Sequence, residues 1–178
     1  QARLMFVSAA RTMGYEVIVL DPDANSPAGS MASEHLQANY DDRKALDYMA
    51  KHCAAVSTEF ENIPADTLEY LANSIPVHPS ASALRIAQNR YSEKTLFQSL
   101  GLGVADFLSI SSAADIEQAR DFSFPAILKT NTLGYDGKGQ VVCQNHEELL
   151  NAASQFDSIS YLLEKRIDLA KEVHLVLA

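Results

Sequence analysis

From its first residue to about residue 88, the sequence alternates amphipathic helical stretches with very short apolar runs. That alternation constrains the fold more than any single motif does. The chain opens with "QARLMFVSAARTMGY", where Leu4, Met5, Val7, Ala9 and Met13 fall near helical spacing and Gly14 suits a helix C-terminus. "EVIVLDPD" follows as a short buried strand closed by Asp21 and Pro22. A helix feeding a buried strand is half of an α/β unit. Such a helix normally follows a strand, and the expectation is therefore a sequence cut at its front. "DRKALDYMAKHC" and "IPADTLEYLANS" read as helices, the second with Pro64 near its start. "AAVST" reads as a strand, "IPVHPS" as a strand or extended link, and "SASALRIAQNRYSEKTLFQSLG" as one or two helices closed by Gly101. Short buried strands separated by helices predict an α/β, Rossmann-like parallel sheet, in a first domain spanning residues 1–104.

The texture then changes. "VADFLSI" is a strand, "SAADIEQARDF" a helix and "FPAILKT" a strand. A glycine-rich loop leads to strand "QVVCQ", helix "HEELLNAASQF" and strand "SYLLEKRI". This predicts a small α+β domain over residues 105–170. "KEVHLVLA" begins another strand and stops, so the sequence reads as cut at this end too.

Composition excludes several classes. A chain of 178 residues suits one or two domains and can bury a core. No run approaches the roughly 18 apolar residues of a membrane span, and no signal peptide is legible. The net charge of −9 argues against nucleic-acid or anionic-membrane partners, but not against a small anion held by a few local cations. Cys53 and Cys143, far apart and without metal spacing, read as reduced thiols of a cytoplasmic protein. His35, His52, His78, His146 and His174 are scattered, with no metal-binding pattern among them.

The loop in "ILKTNTLGYDGKGQVV" carries the chemistry. Asp136-Gly137 between apolar runs is a hairpin signal by itself. A Walker loop fails, because Lys138 is followed by Gly139 and then by a strand. The dinucleotide fingerprint fails because Val142 stands where its third glycine belongs. A third reading is a phosphate lid between antiparallel strands, in which glycines bring backbone N–H groups close to phosphate oxygens. Lys129 and Lys138 would add charge-assisted bonds of roughly 1.5–3 kcal/mol each. Downstream, Glu164 at a strand end and Glu172 could meet an adenine edge and ribose hydroxyls, or could be plain surface charge.

Together these pieces resemble the ATP-grasp superfamily, and within it the 5-(carboxyamino)imidazole ribonucleotide synthase family. The matching segments run in order over nearly the whole chain: "GYEVIVLDPD", "SPA", "STEFENIP", "QNRYSEKTLFQSLG", "FPAILKT", "GYDGKGQ" and "LLEKRI....KEV". "EFENIP" combined with "GYDGKGQ" is specific to that family. The resemblance implies that ATP phosphorylates bicarbonate and that 5-aminoimidazole ribonucleotide is then carboxylated on its amine, with Mg2+ as cofactor. It also implies a homodimer and makes residues 105–170 the lid domain, with residues 171–178 opening a further domain.

Roles carry over by motif. Arg90 resembles the arginine that contacts ATP, and Lys129 the strand lysine on its phosphates. Gly134, Tyr135, Asp136, Gly137, Lys138, Gly139 and Gln140 form the lid, with Asp136 and Lys138 the catalytic candidates. Tyr135 and Asp136 fall near the bicarbonate and aminoimidazole end. Glu164, Lys165, Arg166 and Ile167 would grip adenine, and Glu172 ribose. Glu59 and Glu61, at a strand's carboxyl end, resemble residues near the ribonucleotide. Gln1 stands where the family's G-x-G-Q-L loop ends, followed by Ala2 rather than leucine. The Mg2+ ligands are expected beyond residue 178, and the chain alone is expected not to turn over. A formate-dependent glycinamide ribonucleotide transformylase, a non-catalytic nucleotide-binding module and a dehydrogenase with Asp21 on a ribose are the competing readings.

Overall fold

The computed structural model describes residues 2–134, 139–154 and 160–173. Contacts divide the chain into two units, Gln1–Gln88 and Asn89–Ala178.

In the first unit, short polar side chains fix where helices start. Helix α1 (Ala2–Thr12) leads to strand β1 (Ile18–Leu20). Ser26 accepts from the Gly29 amide and Pro27 opens helix α2 (Pro27–Met31). Strand β2 (Glu34–Leu36) follows, and Asp42 then caps helix α3 (Arg43–His52) by accepting from the Lys44 and Ala45 amides. Strand β3 (Val56–Ser57), helix α4 (Ala65–Ala72), strand β4 (Val77–His78) and helix α5 (Ala81–Ala87) complete it.

β1 pairs with β2 and β3 with β4, both in parallel, as two separate two-stranded sheets. The pairings are parallel, but among the described residues they form two separate pairs rather than the single Rossmann-like sheet expected, and the strands are shorter than the apolar runs suggested. α2 and β2 carry no clear hydrophobic period and were not expected. Leu46 and Met49 of α3 pack with Leu68 and Leu71 of α4 against Val77 and Leu84. Each large aliphatic side chain so buried is worth about 1.5–3 kcal/mol.

The second unit begins with helix α6 (Arg90–Ser99), so "SASALRIAQNRYSEKTLFQSLG" is two helices. The contacts group α6 with this unit, whereas the sequence reading set it before a boundary at residue 104. Strand β5 (Phe107–Ile110), helix α7 (Ala113–Gln118) with a 3-10 turn at Ala119–Asp121, and strand β6 (Ala126–Thr130) follow. Strand β7 (Gln140–Cys143), helix α8 (His146–Ser154) and strand β8 (Tyr161–Lys165) come last. The sheet order is β5-β8-β6-β7, antiparallel at every pairing.

Register sorts the two faces, because directly opposed residues share one. Leu128 lies opposite Leu163 and packs with Ala126, Cys143, Leu149 and Ile110 in the core. The other face carries Ile127 opposite Glu164, Glu164 opposite Phe107, and Lys129 opposite Leu162. Of the strand expected in "KEVHLVLA", residues 171–173 are irregular and 174–178, with His174, lie outside the described residues. No helix among the described residues is long and apolar enough to cross a membrane.

Candidate functional site

Strand alternation turns Lys129 away from the core and toward Glu164 on the neighbouring strand. Lys129 Nζ donates to Glu164 Oε2 at 2.8 Å, and Lys94 Nζ, from α6, donates to Oε1 at 2.9 Å. The side chains of Lys129, Lys94 and Glu164 are 19%, 17% and 15% exposed. Burial alone would push the Glu164 carboxyl up. Hydrogen bonds and charge from Lys129 and Lys94 outweigh burial and hold it below the usual carboxylate range. Lys94 Nζ also lies 5.7 Å from the centroid of the Phe107 ring, and Tyr91 meets that ring edge-on at 5.7 Å. An ammonium has three donors, so each lysine keeps others for an anion.

The start of α6 is fastened to the end of β6. Asn89 caps the helix through the Ser92 amide at 2.9 Å. Asn131, 5% exposed, accepts from the Arg90 amide on its carbonyl and from the Tyr91 amide on Oδ1, both at 2.9 Å. It donates to Ser160 through its amide at 3.0 Å and through Nδ2 at 3.2 Å. Arg90 Nη2 in turn donates to the Gly134 carbonyl at 3.3 Å, at the mouth of the glycine loop. At the far end, the Thr130 amide donates to the Gly139 carbonyl at 2.7 Å. Gly139 has φ 74°, and a Cβ there would lie 2.7 Å from Thr130 Oγ1. Glycine is required at this position twice over.

An anion-ready cluster beside a glycine loop now stands on an antiparallel sheet. Residues 1–88 match the ribonucleotide synthetase preATP-grasp domain, and residues 95–178 match the ATP-grasp domain. The chain belongs to the ATP-grasp superfamily.

It is similar to the N5-carboxyaminoimidazole ribonucleotide synthase of Pseudomonas aeruginosa, with 38% identity over 173 residues, 97% of this chain and 48% of that protein. The N5-carboxyaminoimidazole synthetase of Staphylococcus aureus, solved in complex with ADP, superposes with a TM-score of 0.87 and 36% identity, over 93% of this chain and 44% of that one. The carboxyaminoimidazole ribonucleotide synthase of Aspergillus clavatus, solved with ATP, gives a TM-score of 0.83 at 25% identity, over 94% of this chain and 45% of that one. The chain spans about half the length of the curated relatives it matches.

The ATP-grasp residues expected from sequence divide into three groups. Arg90, Lys129, Gly134 and Glu164 take part in the bonds just described. Gly139 shapes the loop's exit, and Gln140 opposes Lys129 across the β6–β7 ladder with its side chain exposed. Gln1, Tyr135, Asp136, Gly137 and Lys138 lie outside the described residues. The remainder stand apart. The amides of Lys165 and Arg166 donate to the Asp106 and Pro125 carbonyls at 2.9 and 3.0 Å. These bonds continue the ladders of β8, the strand between β5 and β6. Glu172 is exposed in an irregular segment.

In the first unit, Glu59 and Glu61 follow β3 and line a cavity of about 280 Å³ with Pro79 and Leu84. Gln88 Nε2 fastens this loop through the Glu61 and Ile63 carbonyls. Asp21 accepts from Ser26 Oγ at 2.9 Å and from the Asp23 amide at 3.0 Å, a turn-building role that leaves the dehydrogenase reading without support.

Lys94 and Asn131 were missed from the sequence. Lys94 had a signal, since it follows Arg90 by four residues and so shares its helix face. Asn131 had none, because its partners come from two distant segments.

Proposed function

We propose that the protein acts in the ATP-dependent carboxylation of 5-aminoimidazole ribonucleotide, a step of purine synthesis. The γ-phosphoryl group of ATP passes to a bicarbonate oxygen, giving carboxyphosphate and ADP. The exocyclic amine then attacks the carboxyl carbon and phosphate leaves. This chemistry needs charge neutralised around the phosphates and water kept from a labile acyl phosphate.

The convergence of Lys129 and Lys94 on Glu164, with Arg90 at the loop mouth, is the observation that carries the reading. In it, Arg90, Lys129 and Lys138 meet the phosphates, and residues 134–140 close as a lid. The segment Glu164–Ile167 meets adenine and Glu172 ribose, while Asp136 and Tyr135 serve the reacting end. The first unit, a Rossmann-like preATP-grasp domain in this reading, takes the ribonucleotide through Glu59, Glu61 and Gln1. The cavity beside Glu59 and Glu61 supports that share. In this reading Mg2+ accompanies the nucleotide, with its ligands expected beyond residue 178; among the described residues no cluster of three His, Cys, Asp or Glu ligands forms. A cytoplasmic homodimer belongs to the same reading.

The test has two parts. Calorimetry with ADP should show binding that Lys129→Ala weakens by about tenfold or more, the scale of a charge-assisted hydrogen bond. The full-length enzyme should consume aminoimidazole ribonucleotide only with ATP and bicarbonate. Formate-dependent turnover of glycinamide ribonucleotide would favour the transformylase instead, and nucleotide binding without either turnover would favour a non-catalytic module.

A further inference from the structure

Lys94 is assigned no contact with the nucleotide in the reading above, yet its placement is as defined as that of Lys129. It holds the second oxygen of a largely buried carboxylate whose first oxygen holds Lys129. Its ammonium is fixed by the Phe107 ring, and its helix is fixed by Asn89 and Asn131.

We propose that Lys94 is a positioning residue: by clamping Glu164 in one orientation, it aims the remaining donors of Lys129 at a nucleotide's phosphates. The proposal deepens the nucleotide-binding reading and rests on it. A carboxylate with one cationic partner can swing about its last torsion, which is soft. With an ammonium on each oxygen it cannot turn without losing a charged bond. The second cation also keeps the carboxylate ionised, so that it goes on accepting from Lys129. Among the described residues, Lys94 from α6 and Lys129 from β6 are the charged groups facing Glu164, while β5 and β6 otherwise present Phe107 and Ile127.

ADP binding, followed by calorimetry down through the acid range in the unaltered protein, Lys94→Met and Lys94→Arg, tests this. Lys94→Met should weaken binding about tenfold at neutral pH, the scale of one charge-assisted bond. It should also move the acid limb of binding to higher pH, because Glu164 then keeps its charge with one partner instead of two. The difference between proteins removes the titration of ADP itself. Lys94→Arg should restore both features. A Lys94→Met protein that melts earlier but keeps its affinity and acid limb would show a structural role only and overturn the proposal. If ADP does not bind the unaltered protein, or Lys129→Met binds it equally well, the nucleotide reading fails. The clamp is then judged without ligand, by carbon-13 titration of the Glu164 carboxyl: Lys94→Met must raise its midpoint, and an unmoved midpoint refutes the clamp.

Discussion

The two units differ in how deeply their charges are buried. In the first, the recorded ion pairs are peripheral: Arg85 reaches Asp66 and Glu69 with side-chain exposures of 45%, 83% and 62%. Other carboxylates of this unit, such as Asp21 and Asp42, build turns and caps. The second has an exposed pair too, Arg120 with Glu117, but there two lysines and a glutamate from three elements also meet with exposures below 20%. Exposed pairs on a surface contribute little. A largely buried group assembled from distant segments is worth keeping only when its geometry is good and its charges are matched, and such groups concentrate at functional sites. The contrast teaches that burial of the partners, not the number of charges, sets the candidate site apart.

The sharpest way to break this contrast is to remove the shared anion. Glu164→Ala leaves two ammoniums facing each other in a half-buried site. It should lower stability by about 3 kcal/mol, the low end for a buried pair because some solvent reaches it, and should abolish ADP binding. Chemical denaturation and calorimetry read the two effects. Asp66→Ala, on the exposed pair, should leave the denaturation midpoint where it is. Equal losses in the two variants would erase the distinction.

Gly139→Ala tests the loop of the second unit on its own. Its left-handed backbone and the approach of Thr130 should together cost about 1–3 kcal/mol. Adding Thr130→Ala should recover the steric part and not the backbone part, as thermal melting would show.

The caps allow a comparison at smaller scale. Asp42→Ala in the first unit and Asn89→Ala in the second should each cost about 1 kcal/mol by denaturation. Only Asn89→Ala should also weaken ADP binding, since α6 carries Arg90 and Lys94.

The smallest effect is in pH. Glu164 sits below the usual carboxylate range in the folded protein. Its contribution is therefore full above the unfolded value of about 4.3, and is lost as pH falls through the lower folded value. Glu164→Gln should lose that part of the acid-unfolding curve, whereas Asp66→Asn should keep it.

Much of this was legible in the residues. Helices α3 and α4 announced themselves in "DRKALDYMAKHC" and "IPADTLEYLANS", and β6 and β7 through apolar runs flanking a glycine loop. Lys129 was legible because a lysine ending an apolar strand has few places to send its charge. Less was legible where no period or motif marks the chain. β2 is three residues long and follows a segment of small and polar residues. The engagement of the Lys165 and Arg166 amides depends on partners at Asp106 and Pro125, which no local rule connects to them.

The sequence by itself determined the kind of elements, the need for glycine in the loop and the membership in a nucleotide-gripping superfamily. These follow from short-range sterics, hydrophobic period and motif order, all carried within a few residues. Only the tertiary structure decided that Lys94 and Glu164, 70 positions apart, share a bond, and that Asn131 ties a helix to a strand. The physical reason is register: pairing β8 between β5 and β6 places Glu164 opposite Phe107 and Ile127, and a slip of one residue would turn its carboxylate into the core.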